Sequence, residues 1–351
     1  MKLSKNFVIV SVFSVLAILL IAFLLSGCGA SGGTSKTYLK GILYVLYGSS
    51  GDNCVKIFDN TEITSNVVPD RIISGETTGI LTPESGQIHI DTVNNELYVG
   101  SGSSVLVFAN ASTADGNIAP SRILAGGCTQ ITDPNGIFVD TKNDLLFVAD
   151  MSDKIMVYSR TASGDAPALR TITGGNTTLD NPMGIFVDEE DDRLYVPNYS
   201  STPRAILVFN NASSATGDIA PDRVITHETY VTNPRAVHVD LDNDLLYLVS
   251  RGDYIAVFEN ASTIDGRVTP SRVVSGSNTG FDAPMHFCVD PINDRLYQVN
   301  DVASSRPQRV NGFYGVNTSA FNGNIAPDVK IDGLAFHSTC ESCGVAIDPT
   351  R

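Results

Sequence analysis

Short apolar runs alternate with polar turns along most of the chain, and one phrase recurs. It reads Gly184-Ile-Phe-Val-Asp188 and, after an acidic turn, Arg193-Leu-Tyr-Val196. The strict alternation of side chains and the enrichment in Val, Ile, Phe and Tyr predict β-strands. A period of about 50 residues predicts stacked supersecondary units. Equivalent first-strand phrases end at Asp91, Asp140, Asp240 and Asp290.

Each repeat divides into four apolar segments. The third is of the type Ile206-Leu-Val-Phe209, and the fourth follows a proline, as in Pro221-Asp-Arg-Val-Ile225. Because proline has no N–H to donate to a ladder, it belongs at the start of an edge strand, and the fourth segment is therefore predicted to lie outermost. Four-stranded sheets repeated around an axis form a β-propeller.

The two ends of the chain supply one repeat between them. A sixth copy of the first-strand phrase, Val345-Ala-Ile-Asp348, has no second strand after it. The missing strands match Gly41-Ile-Leu-Tyr-Val45, Val55-Lys-Ile-Phe58 and Arg71-Ile-Ile73 near the other end. We therefore expect an all-β, six-bladed β-propeller over residues 41–351, a single domain whose ring is closed by N- and C-terminal strands sharing the last blade.

The repeats resemble a known pattern. Asn181-Pro-Met-Gly-Ile-Phe-Val-Asp188, with Leu194-Tyr-Val196 and Ile206-Leu-Val-Phe209, is similar to the NHL repeat, and the resemblance covers nearly all of residues 41–351. The resemblance implies a propeller. It does not imply a function, because this fold carries scaffolds, receptors and hydrolases alike.

The N-terminus reads as an export signal. Lys2 and Lys5 precede a predominantly apolar run without charged residues over residues 7–25, which is also long enough to be an uncleaved membrane anchor. Leu25-Ser-Gly-Cys28 resembles the lipobox of bacterial lipoproteins, which favours cleavage and implies lipidation of Cys28. We expect a signal peptide over residues 1–27 and a lipidated tether over residues 28–40. Gly29 in place of Asp implies a location at the outer membrane.

The charge balance limits the partners. With 23 basic and 38 acidic residues, the net charge is -15. Such a surface repels phosphate backbones and anionic headgroups. We therefore expect no nucleic acid partner, and membrane contact only through the N-terminal lipid.

Irregular residues concentrate at one end of the predicted ring. The loops between second and third strands share this end, which we call the top face, with the loops that join successive blades. The loops on the opposite, bottom face are repetitive acidic turns. Since variable loops on a rigid scaffold carry binding sites, the candidate binding residues are Asp150, Asn198, Arg235, Arg251, His286, Asn300 and Asp301.

Three functions fit this pattern. The favoured one is a module that binds a protein or another extracytoplasmic ligand without catalysis or cofactor. The second is a metal-dependent hydrolase like the gluconolactonases, for which Asp150, Asn198 and Asn300 are suitable oxygen ligands, but no matching Glu is present. The third is a structural envelope component. His89 and His238, in the middle of first strands, are either packed or metal-binding, and we assign no catalytic residue and no metal ligand.

The cysteines point to the closure of the ring. Cys340 and Cys343 lie in the loop that enters the last blade's inner strand, and Cys54 begins the third strand of the same blade. Because an exported protein occupies an oxidising compartment, we expect a disulfide from Cys54 to Cys340 or Cys343. The alternative is a bond between Cys340 and Cys343.

Overall fold

The structure is a computed structural model, and it describes residues 41–48, 53–61, 67–81, 87–200, 204–300, 309–332 and 344–351. The signal peptide, Cys28 and the tether lie outside the described residues, as do Asp301, Cys340 and Cys343. Among the residues that are described, no helix is both long and apolar enough to cross a bilayer.

The strands form six sheets of four antiparallel strands each, and one of these sheets gains a short fifth strand that pairs parallel. We number the blades along the chain and give the strands of each from the channel outward. Blade 1 is Ile88–Asp91, Glu96–Ser101, Ser104–Ala109 and Arg122–Ala125, and blade 2 is Pro134–Asp140, Leu145–Asp150, Lys154–Ser159 and Arg170–Ile172. Blade 3 is Phe186–Asp188, Arg193–Asn198, Ala205–Asn210 and Arg223–Thr226, and blade 4 is Pro234–Asp240, Leu245–Ser250, Tyr254–Glu259 and Arg272–Ser275. Blade 5 is Pro284–Asp290, Arg295–Asn300, Val310–Tyr314 and Val329–Ile331, and blade 6 is Val345–Asp348, Ile42–Tyr47, Cys54–Phe58 and Arg71–Ser74. Short pieces complete the described set: the strand Gly266–Arg267 and the one-turn 3-10 helices Glu76–Thr78, Ala111–Thr113 and Gly175–Thr177.

Blade 6 joins the two ends of the chain. Val345–Asp348 pairs antiparallel with Ile42–Tyr47, and Leu43 lies opposite Ile347. On its other side, Ile42–Tyr47 pairs with Cys54–Phe58. First strands of neighbouring blades contact each other in cyclic order, including those of blades 5 and 6 and of blades 6 and 1. The predicted six-bladed propeller and its mode of closure are therefore confirmed.

Six apolar clusters form the core, one between each pair of consecutive blades. Between blades 2 and 3, Ile185 and Val187 of the recurring phrase pack with Phe147. These side chains are almost fully buried. Removing apolar surface from water is the main driving force of such packing, so the aliphatic positions of the phrase hold blade to blade.

The aspartate that ends the phrase closes a hairpin turn. Asp140 accepts hydrogen bonds from the backbone N–H and the side-chain amide of Asn143, both at 2.8 Å. The next residue of the turn, Asp144, has a φ of 58°. Asp and Asn tolerate this left-handed conformation better than other non-glycine residues. The acidic turns of the bottom face therefore serve local structure, as predicted.

Tyrosine and arginine of the repeat bind each blade to the next one. In blade 3 the Tyr195 hydroxyl donates to the Ala261 carbonyl at 3.2 Å, and Arg223 donates to the same carbonyl at 3.0 Å and to that of Ile264 at 2.9 Å. Both carbonyls belong to the loop between the third and fourth strands of blade 4. In blade 4, Tyr247 and Arg272 bind the corresponding loop of blade 5 in the same way.

The fourth strands are outermost, as predicted, but their edges are covered. Five of the fourth strands each form a parallel bridge with a glycine of the neighbouring blade, and this glycine lies in the loop that precedes that blade's own fourth strand. The pairs are Ile73 with Gly116, Leu124 with Gly164, Ile172 with Gly217, Ile225 with Gly266, and Val274 with Gly323. All five glycines have φ between 68 and 78°, a region that glycine enters without strain. A loop paired with an outer strand in this way leaves less of the strand's edge free to pair with another chain.

Candidate functional site

A ring of side chains surrounds the middle of the central channel. His89, Phe138, Phe186 and His238 occupy equivalent positions on the first strands of blades 1 to 4. Their ring centroids are separated by 4.7, 5.3 and 4.8 Å in that order, with tilted or edge-to-face geometry. Aromatic pairs prefer these arrangements, so both histidines pack as members of an aromatic arc.

The channel encloses a cavity of about 150 Å³, lined by first-strand residues of all six blades. Burial lowers the pKa of His89 and of His238 to about 4, so both imidazoles are neutral at pH 7. Burial also raises the pKa of the Cys288 thiol, which shares the cavity. Within the described ranges, no group of three or more His, Cys, Asp or Glu side chains is placed to hold a metal ion.

A glutamine crosses the upper end of the channel. Gln87 of blade 1 accepts a hydrogen bond from the Ile137 N–H at 2.8 Å, and its amide nitrogen contacts Nε2 of His286 in blade 5. Burial lowers the pKa of His286 to about 4, and the other ring nitrogen of its imidazole, Nδ1, accepts a hydrogen bond from the Val345 N–H at 3.4 Å. A Cβ on Gly184 would collide with the Gln87 amide. The contact therefore spans the channel over a glycine of blade 3.

The sequence predicts His286 on the top face, and it does not single out Gln87. The structure buries His286, which is 9% exposed, inside the channel mouth. The sequence does carry one signal for the contact between Gln87 and His286. Gln87 occupies the position of Gly136 and Gly184 in other copies of the phrase. A long polar side chain at a position of close backbone approach has to reach a partner.

Asp150 serves the loop of its own blade. Its carboxylate accepts hydrogen bonds from the backbone N–H groups of Thr132 and Asp133 at 2.7 and 2.9 Å, and from the hydroxyls of Thr132 and Ser152. Burial alone would raise the pKa of Asp150, but the hydrogen bonds from Ser152 and Thr132 outweigh it and lower that pKa. The carboxylate is ionised and fully bonded.

Asn198 and Asn300 hold equivalent loops in blades 3 and 5. Asn198 accepts from the Asp180 N–H at 2.7 Å and donates to the Thr178 carbonyl at 2.8 Å. Asn300 accepts from the Asp282 N–H at 3.2 Å and donates to the Gly280 carbonyl at 2.9 Å. Together with Asp150 they lie in three different blades, each bonded to its own loop.

Arg235 and Arg251 lie together on the top face. Arg235 sits at a β-bulge at the start of the first strand of blade 4, where the register shifts between Pro234 and Ala236. Bulges re-aim side chains and are frequent beside functional sites. The Arg235 guanidinium lies 4.9 Å from the centroid of the Tyr199 ring, and Arg251 follows the second strand of the same blade. Tyr199 was not among the predicted residues.

The predicted disulfide rests partly on residues outside the described set. Cys54 is fully buried at the start of the third strand of blade 6, opposite Tyr47 and Ser74. Its proposed partners, Cys340 and Cys343, are not described. The connectivity therefore stays a prediction.

Comparison with known proteins gives structural likeness. No protein-family model matches the chain, and no curated protein sequence matches it. A chain in a solved structure of the nidogen/laminin complex has a TM-score of 0.52 at 15% identity, covering 87% of this chain and 98% of that chain. Hydrazine synthase of Kuenenia stuttgartiensis has a TM-score of 0.45 at 18% identity, covering 69% of this chain and 66% of its own. At such identities the first likeness shows a shared fold, the β-propeller.

Proposed function

We propose that this chain is a lipid-anchored, extracytoplasmic, NHL-like propeller that binds a protein partner through the loops of its top face. In this proposal the chain is held in a bacterial envelope, at the outer membrane, by a lipid on Cys28. The solved chain of similar fold comes from a nidogen/laminin complex; for the present chain a protein partner is our inference.

The observation that carries the proposal is the difference between the surfaces of the ring. Repeated bonds close the bottom turns, and glycine loops cover five outer strand edges. The channel holds a cavity of only about 150 Å³, small for the sites that take drug-sized ligands. The top face, in contrast, exposes unlike side chains such as Ser200, Arg204 and Arg251. Loops, rather than strand edges or the channel, are therefore the elements available to a partner.

Site-specific photo-crosslinking in intact cells tests the proposal. A photoreactive phenylalanine at Ser200 reports on the top face, and one at Val93, which is 72% exposed in a bottom turn, is the matched control. We expect a discrete adduct from position 200 and none from position 93. Equal adducts from both positions, or none from position 200, would contradict binding through the top face. The second of these outcomes is the one expected of a purely structural envelope component.

Anchoring is tested separately. Replacement of Cys28 by alanine should abolish incorporation of labelled palmitate, because the acyl chains that anchor the protein are proposed to be carried by this residue. The variant also lacks the cleavage signal, so the readout is the label and not the membrane fraction. A wild-type chain that incorporates no palmitate would favour the apolar run over residues 7–25 as an uncleaved anchor.

A further inference from the structure

Three arginines meet around one tyrosine on the top face, at the boundary between blades 3 and 4. Tyr199 and Arg204 belong to the loop between the second and third strands of blade 3, whereas Arg235 and Arg251 belong to blade 4. The Arg204 Nε donates to the Tyr199 carbonyl at 3.1 Å, and Arg235 lies over the Tyr199 ring at 4.9 Å. We call these four residues the arginine patch.

The patch opposes the charge of the chain as a whole. Its three guanidinium groups gather in one place on a protein with a net charge of -15. Burial alone would raise the pKa of the Tyr199 phenol, but a hydrogen bond from Arg251 and the charges of Arg235 and Arg251 outweigh it and lower that pKa. The electrostatic potential at the phenol is therefore positive, which attracts an anion.

Several other arginines of the described chain pair with carboxylates or hold neighbouring blades together. Arg122 pairs with Glu96 within blade 1, Arg160 of blade 2 reaches the same carboxylate, and Arg223 binds backbone carbonyls of blade 4. Arg204 and Arg251 are exposed. Within the parts of the chain that the structure describes, neither of these two forms an ion pair with a carboxylate.

We propose that the arginine patch binds carboxylate side chains of an acidic segment in the partner protein. The guanidinium fork matches a carboxylate with two parallel N–H···O bonds. Tyr199 holds Arg235 by packing against its charged plane, a contact that is stabilising in itself. Both features pre-organise the site, which lowers the entropy lost on binding.

A short acidic peptide fits better than an extended polyanion. The patch is local, and the remainder of a chain with 38 acidic residues repels a long phosphate backbone. A few carboxylates on a peptide reach the arginines without crossing that surface. The inference rests on the proposed function and specifies the chemistry of its partner.

Fluorescence anisotropy with the purified full chain in detergent tests the inference. The probe is a labelled peptide rich in Glu and Asp, and a Gln/Asn peptide of the same length is the reference. We expect binding of the acidic peptide only, weakened by salt, with Kd raised at least about tenfold by Arg251→Glu. Arg251 is exposed, so this variant should fold; Lys142→Glu, an exposed charge change on the bottom face, is the matched control and should leave Kd unchanged.

Equal affinity of the wild-type chain and Arg251→Glu for the acidic peptide would overturn the inference. So would a stronger loss of binding in Lys142→Glu, or binding of a single-stranded oligonucleotide in preference to the peptide. The crosslinking experiment separates this failure from that of the proposed function. If position 200 still yields its adduct in the Arg251→Glu chain, top-face binding stands and the carboxylate chemistry is wrong; if the wild-type chain yields none, the proposed function itself is wrong.

Discussion

The channel histidines give the fold an acid sensitivity that can be removed one residue at a time. Burial lowers the pKa of His89 and His238 from 6.5 to about 4. Between these pH values the unfolded chain binds a proton that the folded chain does not. The contribution of each neutral histidine is therefore fully present above pH 6.5 and is lost as the pH falls toward 4.

The size of the effect follows from the pKa shift. At pH 5, relative to pH 8, such a shift corresponds to at most about 2 kcal/mol of unfolding free energy for one histidine. Both rings line the channel cavity, where water reduces the cost of charging them. We therefore expect about 1 kcal/mol for each, which in a chain of this size moves Tm by roughly 2 °C.

The other repeats indicate which residue can replace a channel histidine. Phenylalanine occupies the same position in blades 2 and 3, as Phe138 and Phe186, so His238→Phe should fit the aromatic ring. Urea denaturation at pH 8 and pH 5 measures the free energy of unfolding. We expect His238→Phe to lose about 1 kcal/mol less than the wild-type chain between these pH values, and the reverse change Phe138→His to lose more. If His238→Phe and the wild-type chain lose the same amount, His238 does not titrate as a buried neutral group and the reasoning fails.

Three further expectations concern the joints between blades. Glu96→Gln should lower the free energy of unfolding by about 1 to 3 kcal/mol in urea titrations, because it weakens a partly buried bidentate pair with Arg122 of the same blade, at 2.6 and 2.8 Å, and the contact with Arg160 of blade 2 at 3.1 Å. An effect below about 0.5 kcal/mol would show that these pairs contribute little. Gly136→Ala should lower the free energy of unfolding by about 1 to 3 kcal/mol, because its Cβ would meet a backbone carbonyl oxygen of the next blade. The Cβ of Gly127→Ala would point into open space, so this control should leave the free energy of unfolding nearly unchanged in the same assay. Non-reducing peptide mapping should find Cys54 bridged to one of the two cysteines near the C-terminus, and a free thiol at Cys54 would contradict the predicted closure disulfide.

The periodic part of the sequence was sufficient to predict the propeller. Strand alternation, turn chemistry and the split sixth repeat each have a local cause that residues such as Asp140 and Asn143 reveal directly. The bonds between blades were harder to foresee. Nothing local in Tyr195 or Arg223 shows that both donate to one carbonyl about 40 to 65 residues further along the chain, because only the stacking of blades brings these atoms together.

In the candidate site, too, the residues were predictable from sequence and the contacts between them were not. Asp150, Asn198 and Asn300 were recognised as polar residues at loop positions, and the structure shows that their side chains hold those loops. Arg235 and Arg251 were selected from sequence, but their convergence on Tyr199 depends on a β-bulge and on the packing of blade 3 against blade 4. Residue type predicted the chemistry, and tertiary structure decided which groups share it.

The closure strand also determines how the ring would bear a mechanical load. Ile42–Tyr47 is hydrogen-bonded along both sides, to Val345–Asp348 and to Cys54–Phe58. Tension applied to the chain at Gly41 therefore acts on a strand held between two neighbours rather than on one at a free margin. Such a strand has to break both ladders before it leaves its sheet. A pull from the N-terminal side is thereby resisted by residues from both ends of the sequence.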